Sequence, residues 1–172
     1  MEIIYSDDTP KFDKPSIFLA GPTYRYGDKV VDGSFWRANA LNILNDLKFD
    51  GIVFVPERKS FDKFDYIDQV EWEYKCLEDS DVIVFWVPRD IEHLKGLTTN
   101  IEFGRYVGCL TTVYGRPDNS DKNRYLDWLY EKLSGRKPIN NLKDLLLFST
   151  KMVNMVVEIN KNAEQKIKTG NI

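Results

Sequence analysis

Asp81-Val82-Ile83-Val84-Phe85-Trp86-Val87-Pro88, a polar loop to Leu97, and Thr98-Thr99-Asn100-Ile101-Glu102-Phe103-Gly104-Arg105-Tyr106-Val107 together decide the fold. The first segment is a continuous apolar run rich in β-branched residues, as expected of a strand buried on both faces. Pro88 ends it, because proline cannot donate to a strand ladder. Thr99-x-x-Glu102 has the pattern of a capping box, which predicts a helix starting there with Glu102 in its first turn. In parallel α/β sheets, ligands bind at the carboxyl ends of strands, and this strand–loop–helix unit would aim Glu102 at that edge.

Working outward, Ser16-Ile17-Phe18-Leu19-Ala20 reads as another buried strand and ends in the glycine-containing loop Gly21-Pro22-Thr23-Tyr24-Arg25-Tyr26-Gly27-Asp28. Ser34 is a candidate N-cap for a helix from Phe35 to about Lys48, with Ala38, Leu41, Leu44 and Leu47 on its apolar face. Ile52-Val53-Phe54-Val55 is a strand closed by Pro56, followed by a charged loop to about Phe64. Asp65 to Leu77 predicts a helix that buries Ile67, Val70, Tyr74 and Leu77. Leu110 to Tyr114 reads as a strand, Ser120 to Ser134 as a helix burying Tyr125, Leu126, Leu129 and Leu133, and Ile139 as a very short further strand. Asn141 caps a final helix to about Lys168, with a break at Ser149-Thr150 as the alternative, and a frayed tail follows. A short edge strand is expected at residues 2–5. The alternation of strands and helices predicts a parallel sheet with helices on both faces. No composition shift or repeat divides the 172 residues, so one domain is expected over 1–172, with a C-terminal helical segment from about 120.

Composition narrows the function. A net charge of −3 without a basic block disfavours duplex nucleic acid. The single histidine, His93, excludes a histidine metal cluster and argues against a Ser-His-Asp triad; it reads as a surface loop residue. Cys76 and Cys109 lack metal spacing and are expected as reduced thiols inside helices. No metal or cofactor is implied. No apolar run approaches the ~18 residues of a membrane span, and Met1 to Asp8 lacks a secretory signal pattern, so a soluble, cytoplasmic protein is expected.

Neither Gly-x-Gly-x-x-Gly nor Gly-x-x-x-x-Gly-Lys-Ser/Thr is present, so the dinucleotide and P-loop readings fail. Gly21 still permits close backbone approach to a ligand, or simply ends a strand. Glu102 is either a capping glutamate or an ionised nucleophile at a helix N-terminus. Glu73 is either a solvated helix residue or a site carboxylate, and Asp90, just past the third strand, could reach the crevice. Arg25 is the best-placed cation for a phosphate or carboxylate. Phe18, Trp72 and Trp86 read as core or pocket wall, and Asp79 and Asp81, at the amino end of their strand, as turn and capping residues.

Phe18-Leu19-Ala20-Gly21-Pro22, Gln69-x-x-Trp72-Glu73, Ser80-Asp81-Val82-Ile83-Val84-Phe85-Trp86-Val87-Pro88 and Thr99-x-x-Glu102-Phe103-Gly104-Arg105, in that order, resemble the nucleoside 2-deoxyribosyltransferase family, in particular its small deoxyribosyltransferase-like branch, over about residues 15–115. The resemblance implies a flavodoxin/Rossmann-like three-layer α/β sandwich with a parallel sheet of four to five strands. It implies cleavage of the N-glycosidic bond of a 2′-deoxynucleoside by Glu102 as nucleophile, with Glu73 and Asp90 lining the site. Transfer of the deoxyribosyl group to another nucleobase, or hydrolysis of a 5′-monophosphate, would follow. Phe18, Gly21, Pro22, Thr23, Tyr24, Arg25, Trp72, Trp86 and Thr99 would contact the substrate, Thr23 and Arg25 being suited to a 5′-phosphate. The transferases orient their nucleophile with a first-strand tyrosine where this chain has Phe18; Tyr24 or Tyr26 would substitute. Neighbouring subunits often complete the family's sites, which implies a homo-oligomer. A non-catalytic nucleotide-binding module is the reading from a different class, since fold does not fix function.

Overall fold

In the computed structural model, which describes residues 1–25, 27–60 and 65–168, the Asp81 segment forms a strand at Val82–Trp86 with all five residues buried. In chain order the elements are β1 (Glu2–Tyr5), β2 (Ser16–Ala20), α1 (Trp36–Asp46), β3 (Ile52–Val55), α2 (Tyr66–Asp79), β4 (Val82–Trp86), α3 (Leu97–Tyr106), β5 (Thr112–Gly115), α4 (Arg124–Ser134) and α5 (Leu142–Lys168). The strands form one parallel sheet in the order β1-β3-β2-β4-β5. Ile139 adds a single parallel bridge to Gly115 in place of a further strand. The architecture is the expected flavodoxin/Rossmann-like sandwich.

Period-2 alternation sorts the strands' side chains onto two cores. Phe18, Phe54, Ile83, Phe85 and Tyr114 pack under α2, α3 and α4 through Trp72, Cys76, Phe103 and Tyr130. Ile17, Leu19, Val53, Val84 and Val113 pack on the opposite face under α1 and α5 through Trp36, Leu44, Leu145 and Leu146. At the amino edge, Asp81 Oδ2 accepts from Ser16 N at 2.8 Å and from Ser16 Oγ at 3.1 Å, tying the starts of β2 and β4 together. The order of crossovers reverses between β2 and β4, so the crevice outside their carboxyl ends is the topological switch point where such sheets bind ligands. Among the described residues, no helix is long and apolar enough to cross a membrane.

Several local expectations are corrected. Ser34 does not cap α1; its Oγ accepts from Val31 N at 2.9 Å inside the preceding turn, and α1 starts at Trp36 with no side-chain cap. The buried face of α1 is Trp36, Arg37, Ala40 and Leu44, with Ala38 exposed. On α2, Asp65 does cap the helix by accepting from Ile67 N, but Ile67, Val70 and Tyr74 are exposed. Leu77 is buried as expected, but Trp72 and Cys76 take the place of the other three, because the Trp72 indole fits between Phe18 and Phe54, with centroids at 6.3 and 6.1 Å, and donates to Asp8 O. Helix α2 carries two apolar stripes, and periodicity cannot choose between them.

Helix α4 begins at Arg124, because Ser120 is engaged by the β4 loop, accepting from Arg89 N and donating to Val87 O. It buries Leu126 and Tyr130, whose ring meets Tyr114 at 5.5 Å, and leaves Tyr125 and Leu133 exposed. Asn141 Oδ1 caps α5 by accepting from Lys143 N and Asp144 N, and the helix runs through Ser149-Thr150 unbroken. Cys76 is a buried free thiol, whereas Cys109 lies beyond α3 and is exposed. Tyr26, the end of the charged loop at 61–64 and the tail from Thr169 fall outside the described residues.

Candidate active site

Helix α3 starts three residues earlier than the Thr99-x-x-Glu102 pattern predicts. Its N-cap is Gly96 in the left-handed region (φ 60°, ψ 52°), and no side chain caps it. A Cβ on Gly96 would lie 2.8 Å from Pro22 Cγ, so glycine lets the start of α3 close against the β2 loop. Thr99 is therefore a buried third helical residue rather than a cap, and Glu102 is the sixth, beyond the first turn. The free amides that would hold it ionised are out of reach.

Its environment acts the other way. Glu102 is half-buried, and burial, followed by the charge of Glu73, pushes its carboxyl up to about 7, against an opposing pull from Arg37. Glu73, half-buried on α2, is also raised by burial, while the Gln69 amide, donating from Nε2 to Oε1 at 2.9 Å, and the charge of Arg37 act to lower it. Further along, α2 and α3 are fastened together by Arg105 Nη2, which donates to Glu78 Oε1 at 2.8 Å and to Tyr74 OH at 3.0 Å. The two glutamates thus come from a fixed helix pair.

Arg37 is the residue that sequence reading missed. It is 1% exposed, and its guanidinium makes five hydrogen bonds. Nε donates to Leu19 O at 3.0 Å and Nη2 to Gly21 O at 2.7 Å; Nη1 donates to Pro22 O at 3.3 Å, Thr23 Oγ1 at 3.0 Å and Glu57 Oε1 at 2.9 Å. The one available signal was its place on the α1 stripe with Leu41 and Leu44, where an arginine breaks the apolar pattern. Glu57, just past the proline that closes β3, sits at the same carboxyl edge as Glu102 and was equally open to that argument.

The remaining candidates fall into distinct places. Gly21 and Pro22 are buried at the exit of β2; a Gly21 Cβ would lie 2.1 Å from Trp86 O and 2.8 Å from Trp36 Cζ2. Trp36 Nε1 donates to Pro22 O at 2.9 Å. Thr23 and Arg25 are exposed on the loop. The Tyr24 hydroxyl donates to Asp28 O at 2.9 Å within its own loop, and Tyr26 lies outside the described residues. Phe18 and Trp72 are core residues beneath the crevice, and Trp86 is buried on the α1–α5 face.

Asp90 stands apart from the glutamate pair. Its Oδ1 accepts from Glu92 N at 2.9 Å and His93 N at 2.8 Å, which closes a turn and holds the carboxyl below its usual range. It borders a cleft of about 80 Å³ with Asp32, Pro88 and Ser120, which is too small for a nucleoside and contains neither glutamate.

In parallel α/β sheets the switch point is where small-molecule sites commonly form, and here an acidic pair and a buried guanidinium come together near it. Comparison with family models places residues 14–118, more than half of the chain, in the family described as "Nucleoside 2-deoxyribosyltransferase like", and the chain belongs to that family. Membership brings nucleoside 2-deoxyribosyltransferase-like activity as the functional class and a small-molecule nucleoside as the substrate class. A search of curated proteins finds no match.

Proposed function

We propose that the protein cleaves the N-glycosidic bond of a 2′-deoxynucleoside, with Glu102 as nucleophile, and transfers the deoxyribosyl group to a second nucleobase. The observation that carries this reading is the Glu73–Glu102 pair, two half-buried carboxylates beside a buried cation, with the charge of Glu73 acting on Glu102. Around neutral pH, where Glu102 titrates, such a pair supplies both a carboxylate and a proton. With substrate bound the proton moves from Glu102 to Glu73; the ionised Glu102 then forms a bond to C1′ as the C1′–N bond breaks, and Glu73 passes the proton to the departing base. Positive charge builds at C1′ on the way, and the adjacent carboxylate stabilises it, as in retaining glycosidases. A nitrogen of the acceptor base then attacks C1′, releases Glu102 and returns a proton to the pair.

Exposed Thr23 and Arg25 on the β2 loop favour a second reading. In it the substrate is a 2′-deoxynucleoside 5′-monophosphate and water takes the place of the acceptor base. A neighbouring copy packed on the apolar residues left exposed on α2 and α3 (Ile67, Val70, Tyr74, Leu97 and Ile101) would wall the glutamate crevice in either case.

The test is to incubate the purified protein, beside Glu102→Ala, with each 2′-deoxynucleoside and its 5′-monophosphate, with and without a second free base, and to separate the products. Acceptor-dependent formation of a new nucleoside supports transfer, and release of base from a monophosphate without acceptor supports hydrolysis. Binding without turnover across the whole panel would replace both with a nucleotide-binding module.

A further inference from the structure

We propose that Arg37 is the positioning residue of this site, fastening the Gly21–Thr23 loop to the sheet edge and setting a fixed positive charge behind Glu73 and Glu102. The inference rests on the glutamate reading above and adds the residue that organises it.

A buried guanidinium is costly to desolvate, and it stays charged because arginine is not deprotonated in proteins. Such a group persists where its donors are taken up by acceptors that also need it. Here three of those acceptors are consecutive backbone or side-chain oxygens of the loop leaving β2 (Gly21 O, Pro22 O and Thr23 Oγ1), and a fourth is Leu19 O within β2. Without Arg37, Leu19 O, Gly21 O and Thr23 Oγ1 would lose the bonds it donates to them. Trp36, its neighbour on α1, adds the bond to Pro22 O and fills the space beside Gly21. The loop expected to contact the substrate is therefore held from the α1 side of the sheet, while the carboxylates come from the α2–α3 side.

The same guanidinium faces three acidic groups from three elements: Glu57 after β3, in contact at 2.9 Å, and Glu73 on α2 and Glu102 on α3 through the field. Glu57 neutralises part of the charge. The remainder opposes protonation of the glutamate pair, in the direction seen at both carboxyls. A lysine could supply the charge but not the planar fork that reaches Leu19 O, Gly21 O and Thr23 Oγ1 together.

The experiment uses the full chain with side-chain carboxyl carbons of glutamate labelled with ¹³C, the Glu102 signal being assigned with Glu102→Gln. Its titration is followed by NMR in the unmodified protein, Arg37→Met, Arg37→Lys and Glu57→Gln, with folding checked by circular dichroism. In Arg37→Met the Glu102 titration is expected to move to higher pH, and in Glu57→Gln to lower pH. In Arg37→Lys it stays near that of the unmodified protein while kcat/KM falls at least about tenfold, because the loop is no longer held. An unmoved Glu102 titration in folded Arg37→Met, or in Glu57→Gln should the first variant not fold, overturns the proposal. So does full kcat/KM in Arg37→Lys. The titrations need no turnover, so a protein that shows the shifts but no reaction overturns the proposed activity and leaves the role of Arg37 standing.

Discussion

Glu73 on α2 lies close enough to Glu102 on α3 for its charge to add to burial in pushing the Glu102 carboxyl up to about 7, while the Gln69 amide and Arg37 favour the ionised form of Glu73 itself. Two helices that meet the same sheet face place like charges together in a partly dry crevice, an arrangement that costs stability and is characteristic of sites that move protons.

Replacing Glu102 with glutamine is expected to remove turnover by about 10³-fold or more while leaving nucleoside binding intact, measured by product chromatography and calorimetry. Stability gives an independent check. The carboxyl titrates near 7 in the fold against 4.5 in the free side chain, so the native state holds the proton longer and loses stability as pH rises between those values. Glu102→Gln should therefore match the unmodified protein below about pH 4.5 and be more stable above pH 7, by about 1–2 kcal/mol after allowing for solvent in the crevice. Equal melting temperatures at pH 8 would contradict a raised Glu102 carboxyl.

Glu73→Gln removes the charge that raises Glu102. The Glu102 carboxyl should then ionise at lower pH, and the acid limb of kcat/KM should move down with it. The maximum rate should fall about 10²-fold or more through loss of the proton donor. An unchanged acid limb would show that the two carboxyls do not communicate.

Gly21→Ala puts a Cβ where Trp86 O stands, at 2.1 Å, and at a φ of +151° that side-chain-bearing residues rarely adopt. The exit of β2 must separate from the end of β4 to admit it. Thermal unfolding should show a loss of about 2–4 kcal/mol, with activity falling further than stability explains. A variant within about 0.5 kcal/mol of the parent would mean that this close approach is not needed.

Ile101 is 75% exposed one residue from Glu102, on a helix whose neighbour α2 also leaves apolar side chains in solvent. The protein is expected to sediment as a homo-oligomer, and Ile101→Glu to weaken association by about 30-fold or more, the cost of a charge in an apolar interface. A single monomeric species at every concentration in sedimentation velocity would remove this expectation.

The strands were legible because their signal is local and repeated. Ser16–Ala20, Ile52–Val55 and Val82–Trp86 are short β-branched runs closed by glycine or proline, and only a doubly covered parallel sheet buries such runs on both faces. The position of Glu102, on the helix that follows the buried strand β4, was legible in the same way. Helix faces were less so: α2 and α4 carry more apolar residues than one face can bury, and the fit of Trp72 and Tyr130 to the aromatic side chains beneath them made the choice.

The sequence by itself determined that this chain is a parallel α/β sandwich and which loops leave the carboxyl edge of its sheet, because hydrophobic period and strand punctuation are properties of neighbours in the chain. Tertiary structure alone decided the state of the site. Gly96, not Thr99, starts α3, which takes Glu102 out of reach of the helix N-terminus. Burial and then the charge of Glu73, contributed by α2, raise it, and Arg37, arriving from the far side of the sheet, opposes that rise. A carboxyl's proton affinity is set by burial and by charges at short range in space, and residues 37, 73 and 102 become neighbours only when the sheet brings three helices to one edge.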